Sequence, residues 1–377
     1  MAKPIKLCCP VLGIDPESNS GGGVHDRELL KALASEGAEL EILMPKNRPH
    51  DKNINNWHIE YTPITHIFPP YLFNIFVLPY LFKKYKEGKF NCIRVFNPYF
   101  AGPATYIFKL FHQDIPIVAN YNHLEESVVK KFLDRLLINK WDKIVAISNF
   151  TKNEIIEKYH FPEDKIEVSY IGVEENKYFP KKKDDKLIEK YSLRNKTVLL
   201  FLGGLKKRKN VGFLIDLIKE INNINVVLLI CGSGEEESAL KAKVKSLGLE
   251  NQVKFSEFVK EDQKNEYYNL ADIVLFPTSK EGFGLLPLEA GLCGKPTIAS
   301  RVSSVPEVVN EGVTGLLATF NDKNDWLSKI NLLIEDRNLT EKLGNNALKH
   351  SLKMQAEKFN WNIIARKYLK IYADQIH

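Results

Sequence analysis

Short apolar runs alternate with amphipathic stretches along almost the whole chain, and this alternation restricts the fold more than any other feature. In the second half, Thr197–Leu202, Asn225–Ile230, Val253–Phe255, Ile273–Phe276 and Pro296–Ala299 read as buried strands. Helical periodicity over Val211–Ile221, Glu236–Leu247 and Glu261–Leu270 separates them. The first half repeats the plan, with strands predicted at Ile5–Cys9, Glu39–Met44, Cys92–Phe96, Ile117–Asn120 and Lys143–Ile147. Strands that alternate with helices build a parallel sheet covered on both faces. At 377 residues the chain is too long for one ordinary core. The expectation is therefore two Rossmann-like, doubly wound α/β domains in series. A charged run, Lys181–Lys186, follows Phe179-Pro180 with little to bury, and the spacing predicts the domain boundary there, after residue 180. Open parallel sheets bind ligands outside the carboxyl ends of their strands. Two such domains facing each other across a cleft would hold the active site in it.

The segment Pro277–Ala290 carries the most chemistry. It follows the strand Ile273–Phe276, brackets Phe283 between Gly282 and Gly284, and then opens a helix with Pro287 near its start. That helix runs to about Cys293, because Gly294 and Pro296 end it. A strand, a glycine turn and a helix start present unpaired amides, which suit phosphate. Glu281 on the turn and Glu289, expected in the first helical turn, flank this site eight residues apart. Acids beside an anion site fit the hydroxyls of a nucleotide-diphosphate sugar. The plainer reading is a dipole-stabilised Glu289 and a solvated Glu281, against which the paired glycines speak.

Other motifs add to this one. Gly203-Gly204-Leu205 leads into four consecutive cations, Lys206 to Lys209, at the entry to a helix whose dipole they oppose. A bound diphosphate would turn that cost into a gain; otherwise the run is a solvated basic loop. Gly21–Gly23 follow the first strand and open a helical pattern, which offers amides to phosphate or simply a flexible loop. Neither this tract nor Gly291–Pro296 has Walker spacing, and Cys231–Glu235 is only a partial dinucleotide fingerprint. His123 falls just past the carboxyl end of a predicted strand, where it serves a site or stands as a surface histidine. The remaining histidines form no metal-ligand pattern.

Composition removes several classes of function. Five scattered cysteines without a CxxC pair argue for reduced thiols and a cytoplasmic compartment. The first ten residues are too poor in apolar content for a signal peptide and read as a first strand. A net charge of +6 suits anionic substrates or an anionic membrane surface and does not point to nucleic acid. Residues 61–82 carry no formal charge, and four prolines among them argue against a spanning helix. Two readings stand for residues 67–86: a buried helix pair, or an aromatic patch flanked by Lys83, Lys84 and Lys86 that rests on a bilayer.

With these residues in place, nearly the full chain resembles the retaining glycosyltransferases of family 4, whose fold is GT-B. Glu281–Glu289 is similar to that family's E-x7-E signature, and Gly203–Asn210 to its phosphate-binding segment. Trp141–Ser148 with Tyr170–Val173 resembles the strand pair that closes the first domain, and Phe359–Tyr372 the terminal helix. The resemblance implies transfer of a sugar from a nucleotide-diphosphate donor (UDP- or GDP-sugar) to a glycan, lipid-linked or small-molecule acceptor, in surface polysaccharide or glycolipid synthesis. It implies domains at 1–180 and 181–355, the segment 356–377 crossing back to the first, no cofactor and no metal. By the same resemblance Glu281 and His123 are catalytic, Lys209 binds the donor phosphates and Glu289 the ribose. Gly22, Gly23, Gly203, Arg208, Gly282, Phe283, Gly284, Leu285 and Leu286 complete the expected donor site. The family's usual arginine is replaced by Gly204, so Arg208 or Lys206 would have to supply that contact, and Glu257 stands where a glycine is common. Other enzymes of this fold, an epimerase or a phosphorylase, and a non-catalytic sugar-nucleotide binding module are the alternatives.

Overall fold

The computed structural model describes residues 4–17, 21–65, 67–96, 98–124, 127–174, 176–221 and 223–376. The chain divides into two units, Met1–Gly172 with Lys358–His377, and Val173–Glu357.

In the first unit seven parallel strands, β1 (Lys6–Pro10), β2 (Glu39–Pro45), β3 (Trp57–Thr62), β4 (Cys92–Phe96), β5 (Ile117–Tyr121), β6 (Lys143–Ala146) and β7 (Ile166–Val168), lie in the order β3-β2-β1-β4-β5-β6-β7. Helices α1 (Gly21–Ser35), α2 (Asn74–Lys86), α3 (Pro98–Phe111), α4 (Val128–Leu137) and α5 (Asn149–Tyr159) make the crossovers. Leu29, Leu30 and Leu33 of α1 enter one apolar cluster, on one face of the sheet. Val77, Phe108 and Leu137 of α2, α3 and α4 enter the cluster on the other face.

The second unit has α6 (Asp185–Lys190), β8 (Thr197–Leu202), α7 (Val211–Ile221), β9 (Val226–Cys231), α8 (Glu237–Ser246), β10 (Val253–Ser256), α9 (Lys264–Leu270), β11 (Ile273–Phe276), α10 (Leu285–Leu292), β12 (Thr297–Ser300), β13 (Gly315–Ala318), α11 (Lys323–Glu335) and α12 (Arg337–Met354). Its six strands are parallel in the order β10-β9-β8-β11-β12-β13. The strand order reverses between β1 and β4 in one sheet and between β8 and β11 in the other. A ligand crevice opens at such a point, and the motifs after β8 and β11 flank it.

Residues 173–180, which precede the expected boundary after Pro180, make their contacts within the second unit, Val173–Glu357. The reason is a set of polar contacts that the sequence does not advertise. Phe179 N donates to Asn265 Oδ1 at 3.0 Å, Lys181 N to Asn269 Oδ1 at 2.7 Å, and Tyr178 Oη to Glu289 Oε1 at 3.1 Å. The last helix, α13 (Trp361–Ala373), packs on α1 and contributes Tyr368 and Tyr372 to the core of the first unit.

The uncharged stretch 61–82 becomes a 3-10 turn, Pro70–Phe73, followed by α2, which holds Pro79 within it. Its basic flank is largely neutralised. Lys83 pairs with Glu60 at 3.0 Å, and the mostly buried Lys84 with Glu41 at 3.0 Å. Among the described residues, no helix is long and apolar enough to cross a membrane.

Candidate active site

In the second unit, β8 ends at Leu202 and a glycine turn carries the chain to a single 3-10 turn, Lys207–Lys209. The turn ends on Asn210, whose left-handed φ of 55° redirects the backbone into α7. The loop after β11 is stitched to it: Ser279 N and Ser279 Oγ donate to Arg208 O at 2.8 and 3.1 Å. These bonds bring Glu281 against the cations. Its Oε1 accepts from Arg208 Nη1 at 2.6 Å and from Lys209 Nζ, with Thr278 Oγ1 at 3.3 Å. Glu281 is therefore a partly buried counter-ion, and the solvated reading of it is excluded.

The electrostatics follow from this packing. Burial works against the Lys209 ammonium, Glu281 opposes that effect, and the balance leaves its pKa below the usual 10.5. The ammonium also lies 4.9 Å from the centre of the Phe276 ring. Burial would raise the Glu281 carboxyl, but Lys209 and Arg208 outweigh it and hold it below the usual 4.5. Lys206, the other expected substitute for the missing arginine, instead lines a separate cavity of about 390 Å3 with Lys207, Lys243 and Asp216. Arg208 is the cation that joins Lys209.

Gly284 precedes α10 with φ 95°, and a Cβ there would come within 3.4 Å of Phe276. The left-handed φ is what requires glycine there, since the contact with Phe276 is an ordinary one. Ser304 Oγ fixes the turn by donating to Glu281 O at 3.1 Å and Phe283 O at 3.0 Å. Helices α4, α5, α6, α11, α12 and α13 start on Ser, Asp or Asn side chains that cap them. Among the described residues no side chain caps α10. The amides of Leu285 and Leu286 in its first turn have no intrahelical partner, so the stretch Gly282 to Leu286 offers donors to an anion beside Lys209.

Glu289 is the fifth residue of α10, in its second turn and not its first as the sequence implied. It is buried, and Tyr268 Oη and Tyr178 Oη donate to its two oxygens at 2.5 and 3.1 Å. Lys264 stands 3.8 Å away. Burial disfavours the Lys264 ammonium, yet Glu289 and Glu261 outweigh that and raise its pKa. This tyrosine and lysine setting was missed in the sequence, because Tyr178 and Tyr268 lie in no recognisable motif.

Two further glycines acquire a structural explanation. A Cβ on Gly232 would lie 2.0 Å from Gly203 O, and one on Gly234 would lie 2.3 Å from Leu205 O. The partial fingerprint at Cys231–Glu235 thus serves close packing of the β9 loop beneath the β8 loop. At Gly204, by contrast, a Cβ would meet nothing nearer than Ser233 O at 4.0 Å.

In the first unit, Gly22 and His123 come together. Both line a pocket of about 110 Å3 with Phe96, Tyr99, Asn120 and Asn122, at the carboxyl ends of β4 and β5. Gly22 and Gly23 form the first turn of α1, and a Cβ on Gly22 would lie 3.6 Å from Asn122 Nδ2. Ser18, Asn19 and Ser20, which open the glycine motif, lie outside the described residues. His123 is exposed at the mouth of the pocket. Asn120 at its base donates to Tyr368 Oη of α13 at 2.5 Å. Behind the pocket Asp26 pairs with the fully buried Arg94 at 2.5 Å. Burial, aided by Arg94, pushes the neighbouring His25 down to about 3, so that imidazole stays neutral. No motif in the sequence marks the Asp26–Arg94 pair. Among the described residues, no group of three or more His, Cys, Asp or Glu side chains is disposed to hold a metal ion.

Comparison with known proteins agrees with this architecture. Residues 183–350 match the family model of the glycosyl transferases group 1, and residues 19–177 that of Glycosyltransferase Family 4. An uncharacterised glycosyltransferase of Methanocaldococcus jannaschii is 30% identical over 92% of this chain and 93% of its own. The N-acetyl-alpha-D-glucosaminyl L-malate synthase of Bacillus anthracis is 26% identical over 97% and 95%. Among solved structures, the sucrose-phosphate synthase of Thermosynechococcus elongatus superposes with a TM-score of 0.81 at 20% identity, covering 98% of both chains. Anabaena HepE, in complex with UDP and glucose, gives 0.76 at 20% identity over 98% of this chain and all of that one. Two parallel-sheet α/β domains of the GT-B type, each built around its own strand-order reversal, and an E-x7-E segment packed on a cationic turn place the chain in glycosyltransferase family 4, as an enzyme that transfers sugars.

Proposed function

We propose that this enzyme moves a sugar from a UDP- or GDP-sugar to a glycan, glycolipid or small-molecule acceptor, with retention of anomeric configuration and without a metal ion. Surface polysaccharide or glycolipid synthesis is the setting that fits this reading, at a cytoplasmic site with peripheral membrane contact and no role for nucleic acid. One observation supports it most: Lys209, Arg208 and the uncapped start of α10 converge around Glu281 at the switch point of the second sheet. The UDP held by HepE favours a uridine donor.

The chemistry follows from charge. When the bond between the anomeric carbon and the phosphate oxygen breaks, negative charge grows on the departing diphosphate. A desolvated ammonium and fixed amides stabilise that charge without reorganising. In the free protein Glu281 neutralises Lys209 and Arg208. A bound diphosphate takes over as their partner and leaves the Glu281 carboxylate beside the transferred sugar. The acceptor hydroxyl forms the new bond to the same face of the anomeric carbon, and its proton passes to the departing phosphate oxygen. Glu289 accepts from Tyr268 on one oxygen and on the other from Tyr178, whose single proton is shared with Glu261, and the remaining lone pairs can accept from ribose hydroxyls. Gly22, Gly23 and His123 serve the sugar or acceptor side from the first unit.

A thermal-shift screen against UDP, GDP and ADP and their sugars tests the donor assignment. Stabilisation by at least one is expected, with Glu289→Ala weakening that binding and Glu281→Ala chiefly lowering turnover. A chain that responds to none of them does not use the donor proposed.

A further inference from the structure

Helix α4 divides its apolar residues between two faces: Leu133 and Leu137 pack against the core of the first unit, and the others do not. Its acid, Asp134, is buried and accepts hydrogen bonds from Tyr99 Oη at 2.9 Å and Tyr121 Oη at 3.0 Å. Four of its six apolar side chains point to water: Val128 is 84% exposed, Val129 56%, Phe132 60% and Leu136 50%. Positions 128, 132 and 136 recur every four residues and form one stripe along the helix. Single exposed apolar residues are ordinary, but a stripe is an interaction surface. The exposed cations Lys131 and Arg135 flank it, and among the described residues of α4 no acid is exposed. A second exposed apolar group, Phe68 at 81% and Ile75 at 65% with Tyr71 and Leu72, precedes and opens α2. Both groups sit in crossovers that leave the carboxyl edge of the same sheet, after β5 and after β3. Both also flank α3, since Asn74 Oδ1 accepts from Ala104 N at 2.9 Å and Lys130 Nζ lies 5.2 Å from the centre of the Tyr99 ring.

We infer that α4, together with residues 68–75, seats the first unit on an anionic lipid surface. The apolar stripe enters the acyl boundary while Lys131 and Arg135 meet the lipid phosphates, as in interfacial helices with a basic polar face. The charge pattern selects this occupant. A protein surface would equally cover the apolar stripe, but an exposed cationic rim, with no exposed acid among the described residues of α4, fits a sheet of phosphates. The basic flank of α2 contributes little, because Lys83 and Lys84 are already paired with Glu60 and Glu41. Tyr99, on the α3 helix between the two groups, lines the pocket that contains His123. An acceptor anchored in that lipid surface would thus be presented beside the pocket.

The experiment is co-sedimentation of the full chain with vesicles of phosphatidylglycerol and phosphatidylcholine in equal parts, and of phosphatidylcholine alone. The chain is expected to pellet with the anionic vesicles and to release as salt is raised. A Val128→Ser, Val129→Ser, Phe132→Ser variant is expected to lose about tenfold or more in partitioning, at an unchanged melting temperature. Lys131→Gln with Arg135→Gln is expected to erase the preference for anionic vesicles, and Lys83→Gln to leave it intact. Recovery of the wild-type chain in the supernatant, or pelleting of the triple serine variant like wild type, overturns the inference. So does a dimer that the serine changes dissolve while vesicles bind neither form, which assigns the stripe to a protein partner. None of these readouts depends on donor binding or turnover.

Discussion

Lys209→Met is the sharpest perturbation of the donor site. Methionine keeps an unbranched apolar stem over the Phe276 ring and removes only the charge. A charge-assisted hydrogen bond contributes about 1.5–3 kcal/mol, which corresponds to roughly a 10- to 150-fold loss of nucleotide-diphosphate affinity. The loss belongs near the upper end, because the ammonium is largely withdrawn from water, where charge interactions are least screened. The fold is cushioned against the change. Glu281 keeps Arg208 at 2.6 Å and Thr278 at 3.3 Å, so the cost falls below the roughly 3–5 kcal/mol of an orphaned buried charge. Isothermal titration with UDP and GDP measures the affinity, and Lys207→Met, an exposed neighbour on the same turn, is the control. If Lys209→Met binds the diphosphate as tightly as wild type, phosphate is held elsewhere and the argument from burial fails.

Two other outcomes follow from the same site. Gly204→Arg is expected to leave the melting temperature unchanged and to tighten diphosphate binding about tenfold, since the position is open and an arginine there adds a charge-assisted contact; weaker binding would refute this. Because Glu281 has a depressed folded-state pKa, its stabilising pairing is complete above the usual 4.5 and is lost as pH falls through the folded value. Glu281→Gln should therefore be less stable than wild type by about 1–3 kcal/mol at neutral pH, a gap that closes as the pH falls below the usual 4.5 and through the depressed folded value. Urea midpoints at neutral pH and in that acid range measure it, and a gap that stays constant would show that the carboxylate charge plays no part.

The sequence made the alternation of strand and helix legible, and with it both parallel sheets. Strands such as β8 and β9 are buried on both faces and read as unbroken apolar runs. It did not reveal β3, whose residues are mostly half-exposed at the sheet edge, β7, which has only three residues, or β13. The Glu281–Lys209 pairing was partly legible, because glycines and cations mark the two turns. The surroundings of Glu289 were not. Tyr178 and Tyr268 reach it from positions 111 and 21 residues away, through contacts that only the folded chain creates. The same holds for Asp26 and Arg94, 68 residues apart, which look like ordinary helix and strand residues until burial pairs them. The buried side of α4 is a further case: periodicity assigns acids outward, and Asp134 with its two tyrosine partners is buried there beside Leu137.

The segment from Val173 to Pro180 has a practical meaning for anyone who recombines lobes from different members of this family. A graft that starts at the lysine run, where composition invites the cut, arrives without the phenol that steadies the second acid of the signature. Splicing at Gly172 carries that phenol along, so a hybrid that turns over poorly after the later cut needs Tyr178 restored before its sugar preference is reinterpreted.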